Sequence, residues 1–408
     1  MNLSLSDVGV TAYAERDASA TIVALLNQQR LVGGFEIRYL LRSSARRHTT
    51  SIAGGNAHTV RSMALVDLYA AEIEWVVSLF RNVSLTCPLA APVPVYVLDP
   101  VGCWDLEPTP QVITGLPLRG RANTFGIVLP NRTSIPSHTD EQAYFRAAAV
   151  HEATHVICFS QSKLNTVPGN GWRWFSEGTA EWVALKRLRQ LAPSNVQTFE
   201  FLGDWIAYPA IPINLVNTWY SSCIFVDYLV RRRNLSWLAA LWKNASAGVT
   251  DDPWHAIKQT FGADVFLQFS CDAYFLNDPK NIFYSPDVFA RFGPRAPERS
   301  YRHSTSGPVT DTVYDFGCRY YAIQSKRRGQ VLHIRFGAKD ETVCATLTGS
   351  TNSYHRIGKS IRLSPGATAV DTTHYPNVDH FVLVVTTAPV ASHTADLPQP
   401  HEFTFEAH

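Results

Sequence analysis

The sequence lacks several features that would place it in common classes of protein. No run of 18 apolar residues occurs, so no transmembrane helix is predicted. The net charge is only +2 at pH 7 and no long basic run is present, which gives no general attraction to nucleic acid. Residues 1–29 lack a basic segment ahead of an apolar one, so a conventional signal peptide is not expected. The chain also has no internal repeat and no low-complexity tract.

Paired cysteine motifs are absent as well. No Cys-x-x-Cys sequence occurs among the seven cysteines, and their odd number leaves at least one free thiol. Cys87 and Cys103 flank a proline-rich segment and could pair in an oxidising compartment. The compartment and the oligomeric state stay open, because export and a cytoplasmic location are both compatible with the sequence. At 408 residues, with 46% hydrophobic and 17% charged residues, the chain is typical of a folded globular protein, and two domains are the default expectation.

The segment AAAVHEATHVICF, residues 147–159, carries the strongest chemical signal. It is predicted as a helix and contains His151, Glu152 and His155 in the order H-E-x-x-H. Residues four apart share one face of a helix, so both imidazoles can point at one site. Two imidazoles one turn apart suit a zinc ion, and Glu152 can then reach a water held on that ion. In a chain with 14 histidines the pentapeptide alone is only suggestive, so its surroundings decide.

A second predicted helix supplies carboxylates. The segment WRWFSEGTAEWVALKRLRQ, residues 172–190, contains Glu177 and, one turn on, Glu181. A catalytic zinc site needs a third protein ligand and an open position for water. One of the two carboxylates can bind the metal, while the other holds a ligand imidazole in place. The alternative is a pair of unrelated helices, one with a core histidine and one with solvated glutamates.

Together these motifs resemble the gluzincin metallopeptidases, which include thermolysin and the aminopeptidase N group. The resemblance depends on HExxH and on a Glu in an E-G-x-A-E setting on the next helix. It implies that His151, His155 and Glu177 bind Zn²⁺. It further implies that Glu181 orients the first histidine and that Glu152 is the base that takes a proton from the attacking water.

A further helix is predicted over residues 217–233, NTWYSSCIFVDYLVRRR, within a resemblance that spans about residues 120–275. In aminopeptidase-like members a tyrosine on such a helix stabilises the oxyanion, and Tyr220 is the residue that matches. The alternative is simple helix packing, because Tyr220 belongs to an apolar stripe. The arginines 231–233 end this helix, where positive charge suits the helix dipole and a solvated helix end is the favoured interpretation.

The resemblance and the strand patterns predict an α+β fold. Residues 1–290 are expected to form a zincin-like catalytic region, with a mixed sheet that has an edge strand, a zinc helix and a helical lower half. Its N-terminal strand and helix part covers about 1–135, and its zinc helices cover about 136–275. A linker is expected over 291–310, where Pro, Ser and Gly accumulate. The alternating patterns beyond it predict a separate all-β sandwich over 311–408.

The strand predicted over residues 123–132 precedes the zinc helix, in the position of the gluzincin edge strand that pairs with extended substrate backbone. The segment before it, 100–122, is rich in Pro and Gly and is predicted as a long loop. The strand lacks the G-x-M-E-N signature with which aminopeptidases of this clan bind a free N-terminus, and it has no acidic residue. Internal cleavage of a peptide or protein substrate is therefore favoured over aminopeptidase action.

Two other functions stay open. The chain could be a catalytically silent scaffold with structural zinc, whose β-sandwich binds glycan or protein. The intact Glu152 argues against this, because a structural site needs no base. The chain could also be an effector or toxin protease with one host substrate, which the sequence does not separate from a general peptidase. The favoured hypothesis is a zinc-dependent endopeptidase with no nucleic-acid partner and no membrane span.

Overall fold

The computed structural model describes most of the chain, and all helices and strands given below lie within the described residues. The described residues are 26, 28–41, 59–60, 62–86, 92–98, 111–114, 125–130, 141–160, 170–191, 209–214, 219–244, 253–276, 278–282, 299–302, 307–324, 331–375, 377–387 and 399–407. Cys87 and Cys103, the candidate disulfide pair, lie outside them. Among the described helices, none combines the length and the apolar character that crossing a bilayer requires.

Helices and sheets are mixed in this protein, as the sequence predicts. The helices are α1 (Met63–Arg81), α2 (Glu141–Phe159), α3 (Asn170–Leu191), α4 (Cys223–Arg232), α5 (Leu235–Asn244), α6 (Pro253–Phe261) and α7 (Val265–Tyr274). The strands are β1 (Gln28–Val32), β2 (Phe35–Leu41), β3 (Thr59–Val60), β4 (Val93–Leu98), β5 (Gln111–Thr114), β6 (Phe125–Pro130), β7 (Arg299–Arg302), β8 (Val309–Tyr314), β9 (Cys318–Gln324), β10 (Val331–Ala338), β11 (Val343–Ser350), β12 (Arg356–Leu363), β13 (Gly366–Asp371), β14 (His380–Thr387) and β15 (Pro400–Ala407).

Two compact units divide these elements. Unit 1 comprises Met1–Gly169, Thr179–Phe199 and Arg233–Asp251. Unit 2 comprises Asn170–Gly178, Glu200–Arg232 and Asp252–His408. Helix α3 is continuous and contributes residues to both units. The domain bounds predicted at residues 290 and 311 stay predictions.

A six-stranded, mainly parallel sheet forms the centre of unit 1. The strands follow the order β1-β2-β4-β6-β5, and β3 pairs with β2. Strands β2, β4 and β6 run parallel, whereas β1 and β5 are antiparallel to their neighbours. The described residues of β4, from Val93 to Val97, are all buried, as expected for a parallel strand covered on both faces.

The position of the edge strand differs from the prediction. The strand predicted over residues 123–132 corresponds to β6, but β6 lies inside the sheet, between β4 and β5. Among the described strands the edge position belongs to β5, which pairs antiparallel with β6 and falls within the segment 100–122 predicted as a loop. Four residues are too few to reveal an alternating pattern, and the edge position depends on a pairing with a distant part of the chain.

A buried ion-pair network connects three helices of unit 1. Glu72 of α1 is 0% exposed, and both Arg146 of α2 and Arg187 of α3 pair with its carboxylate. The Arg187 Nε lies 2.5 Å from Glu72 Oε2, and its guanidinium also lies over the ring of Trp75 at 5.1 Å. Because α2 and α3 carry the predicted site residues, this network fixes the helices on which the site depends.

Two facing sheets dominate unit 2. One has the strand order β13-β10-β15-β8 and the other β12-β11-β14-β9-β7. Their neighbouring strands are antiparallel except for the parallel pair β7 and β9. One apolar core takes residues from both sheets, including Phe336 and Phe405 from the first and Tyr321 and Leu383 from the second. This is the packing of a β-sandwich. Strand β7 lies in the segment predicted as a linker.

Helix α7 covers the outer face of the five-stranded sheet. Leu267, Cys271 and Tyr274 of this helix share an apolar cluster with Tyr320 and Val382 of the sheet. The Tyr320 hydroxyl also donates a hydrogen bond to the Ser270 carbonyl oxygen at 2.7 Å. Strands β9 and β14 of this sheet are therefore buried on both faces.

Candidate metal centre

The two histidines of the HExxH motif converge on one side of α2. The Nε2 atoms of His151 and His155 lie 2.9 Å apart, and the two rings are nearly perpendicular at 80°. Both side chains are buried. The His155 ring stacks on Phe159, which in turn contacts Trp242 of α5. Two ring nitrogens directed at one point are in the arrangement of two ligands of a single cation.

A carboxylate occupies the other nitrogen of His151. Glu181 Oε2 lies 3.1 Å from His151 Nδ1, and both residues are buried. A carboxylate at Nδ1 favours the tautomer in which Nδ1 carries the proton and donates to it. The lone pair of Nε2 then points towards His155, as metal ligation requires.

Glu177 completes a group of three donors. It lies one turn before Glu181 on the continuous helix α3 and is half-buried. One ligand atom each of His151, His155 and Glu177 lies within 4.8 Å of the others. Two imidazoles and one carboxylate fit a zinc ion with an open position, although the same donors also suit other divalent transition metals.

A close approach explains the glycine in the E-G-x-A-E motif. A Cβ at Gly178 would clash with Ser222 Oγ and would lie 3.0 Å from the Ser222 carbonyl carbon. The Ser222 hydroxyl also lies 2.6 Å from the Trp174 carbonyl oxygen, one turn earlier on α3. The first part of α3 thus packs directly against the short 3-10 turn Tyr220–Ser222.

Tyr220 begins this 3-10 turn, just ahead of α4, rather than lying inside a long helix. Its side chain is half-buried. The packing against α3 brings its backbone to the part of that helix that carries Glu177. Its assignment as an oxyanion donor stays a prediction, as do the roles given to the other site residues.

Glu152 is buried next to His151 on α2. The charge of Glu152 also acts on Tyr144, which is not among the predicted site residues. Burial, and to a smaller extent the carboxylate of Glu152, raises the pKa of Tyr144 to about 12. The Tyr144 hydroxyl is therefore protonated at neutral pH. Its spacing from His151 and His155 on one stripe of the helix is the sequence signal that marks it.

No family model and no curated protein matches the sequence. Several solved structures are similar to part of it. Among them are the periplasmic inhibitor of g-type lysozyme PliG of Salmonella Typhimurium (13% identity, 27% of this chain, 98% of that one), PliG of Aeromonas hydrophila (10%, 28% and 100%), and the pre-peptidase C-terminal domain of collagenase from Bacillus anthracis (7%, 28% and 100%). Each has a TM-score of 0.20, which carries no argument about fold or function.

Proposed function

We propose that the protein is a zinc-dependent peptidase of zincin-like fold that cleaves peptide bonds internally. The observation that carries this proposal is the convergence of the donor atoms of His151, His155 and Glu177. The hydrogen bond between Glu181 and His151 Nδ1 supports it, because ligating histidines usually have such a partner. The buried carboxylate of Glu152 beside the group supports catalysis over a purely structural metal.

The order of elements in unit 1 supports the zincin-like part of the proposal. An antiparallel edge strand, β5, is followed along the chain by the parallel strand β6 and then by α2. The resemblance to gluzincins implies such a mixed sheet with an edge strand ahead of the zinc helix. Within the described residues, no strand pairs with the outer side of β5. Its main-chain groups suit an extended peptide that adds to the sheet, and such recognition needs no free chain end.

The metal would be held by His151, His155 and Glu177. When bound there, Zn²⁺ would lower the pKa of a water molecule and would polarise the carbonyl group of the scissile bond. Glu181 accepts the hydrogen bond from His151 Nδ1 and so keeps Nε2, the ring nitrogen that would bind the metal, unprotonated.

The remaining steps belong to two side chains. Glu152 accepts a proton from the attacking water and delivers it to the leaving amine nitrogen, so that the amine departs uncharged. Tyr220 is assigned the hydrogen bond to the carbonyl oxygen as negative charge develops on it. Both roles require the scissile bond to lie between the Glu152 carboxylate and the Tyr220 hydroxyl.

One pair of variants tests this function. Glu152→Gln should keep about one Zn²⁺ per chain and the fold, because Glu152 is a base rather than a ligand. Its turnover on a denatured protein substrate should fall by about 10²–10⁴-fold. The matched control is Glu141→Gln, which makes the same exchange at an exposed position of α2 and should leave turnover unchanged. Near-normal turnover of Glu152→Gln would contradict the proposal.

The type of cleavage is tested separately with a peptide library. Peptides with blocked amino termini should be cut internally, because strand pairing at β5 requires no free ammonium group. Trimming of free amino termini together with complete resistance of the blocked peptides would instead indicate an aminopeptidase. Zinc in the protein without cleavage of any peptide would favour the silent scaffold, and cleavage restricted to one protein would favour a dedicated effector.

A further inference from the structure

A polar cavity of about 410 Å³ lies within unit 2. Its walls come from α4, α7, β11 and β12, and none of the residues assigned to the metal centre lines it. The volume falls in the range of sites for small molecules, which is about 300–1,000 Å³.

Positive charge exceeds negative charge in the lining of this cavity. It contains the guanidinium groups of Arg232, Arg356 and Arg362 and the carboxylates of Asp264 and Asp272. Arg356 Nη2 lies 2.5 Å from Asp272 Oδ1, and Arg362 pairs with Asp264. These two ion pairs use both carboxylates, so the third arginine is left without a counter-charge in the lining.

Arg232 is held in place by neutral groups. Its Nη1 donates to the Tyr228 hydroxyl at 3.0 Å and to Gln268 Oε1 at 2.6 Å. Burial raises the pKa of Tyr228 well above its usual value, so this hydroxyl is uncharged. The guanidinium also lies over the rings of Tyr228 and Phe261, at 5.4 and 5.9 Å. No carboxylate pairs with Arg232 in the part of the chain that the structure describes.

The neighbouring arginine has a different environment. Arg231 lies outside the cavity lining, donates from Nε to Asp227 at 2.6 Å, and donates from Nη1 to the Ile282 carbonyl oxygen at 3.0 Å. Residues 231–233 are all exposed, as expected for a solvated helix end, but Arg232 also lines the cavity. Its guanidinium is oriented by two hydrogen bonds and two rings, and most of its donors stay available.

We propose that this cavity binds a small molecule through an oxyanion, either a phosphate or a carboxylate group, on Arg232. The planar guanidinium presents parallel N–H donors that match both groups, and charge-assisted hydrogen bonds are about twice as strong as neutral ones. One such anion would neutralise Arg232, the arginine of the lining that has no carboxylate partner among the described residues. The site is independent of the proposed peptidase activity.

Isothermal titration calorimetry on the full chain tests this site. Inorganic phosphate and succinate are titrated separately, with chloride used to keep the ionic strength constant. At least one of them should bind saturably with one site per chain. Arg232→Gln should weaken that binding by about tenfold or more, since it removes a charged hydrogen-bond donor. Arg231→Gln makes the same charge change one position away and should alter the affinity by less than about twofold.

The outcomes distinguish a phosphorylated from a carboxylated ligand and identify the results that would overturn the proposal. Binding of phosphate alone assigns a phosphorylated ligand, and binding of succinate alone assigns a carboxylated one. The proposal is overturned if neither anion binds saturably at millimolar concentration. It is also overturned if Arg232→Gln, shown by circular dichroism to be folded, binds like the wild type, because the anion would then occupy another place such as the metal centre. An equal loss in Arg231→Gln would indicate general charge attraction and would overturn it as well.

Discussion

Replacing Glu72 by glutamine should destabilise the protein more than any exposed charge change. The variant removes the negative charge that Arg146 and Arg187 share and leaves two guanidinium groups without a counter-charge. Removing one partner of a buried ion pair costs about 3–5 kcal/mol. Glu72 is 0% exposed, but the arginine side chains are 26% and 17% exposed, and water can partly solvate them. The lower end of the range, about 3 kcal/mol, is therefore expected.

The assay is urea unfolding at pH 7, followed by circular dichroism, with the free energy of unfolding as the readout. Asp67→Asn provides the control, because it removes a carboxylate from the same helix α1. Asp67 and its partner Arg30 have side chains that are 57% and 42% exposed, so this change should cost only about 0–1 kcal/mol. A loss below about 1 kcal/mol in Glu72→Gln, or a loss equal to that of Asp67→Asn, would refute the reasoning.

Three further predictions concern other parts of the molecule. Glu177→Ala should weaken zinc binding far more than Glu181→Ala, for which a loss of about 10–100-fold is expected; competition with a chelator measures both, and the reverse order would exchange their roles. Gly178→Ala should lower the free energy of unfolding by about 1–3 kcal/mol through overpacking, and unchanged urea stability would contradict the close approach. Hydrogen bonds from Thr342 hold the pKa of Asp340 below its usual value, so its contribution to stability is present above about pH 4 and is lost as the pH falls through the folded pKa. Asp340→Asn should therefore flatten the acid limb of the stability curve, and a slope equal to that of the wild type would count against this.

The helices of the candidate site could be predicted because their signals are local. In α2 the four-residue spacing of His151 and His155 matches the helical repeat, and Ala148 lies on the same stripe, three residues before His151. In α3 the pair Glu177 and Glu181 follows the same rule. The convergence of the two helices on one point is not a local property, and only the resemblance to a known family suggested it.

Features that depend on distant parts of the chain were missed. Glu72 lies between apolar residues of an ordinary amphipathic helix, and its partners Arg146 and Arg187 are 74 and 115 positions away. A single glutamate in such a helix gives no signal of burial. The same reason hides β5, whose four residues become the edge of a sheet only by pairing with β6. In the sequence Arg232 likewise cannot be told from Arg231 and Arg233. Only the fold shows that Arg232 lines the cavity of unit 2 and the other two do not.

The covering of the five-stranded sheet by α7 limits how this chain can be recombined or trimmed. A fragment that begins at residue 311 would expose Tyr320, Val382 and Val384 to water, since α7 buries all three. Such a fragment would gain a sticky apolar face and would tend to self-associate. The C-terminal strands are therefore not expected to fold as an independent domain. A fragment that keeps this apolar face covered has to begin before Val265, so that it includes α7.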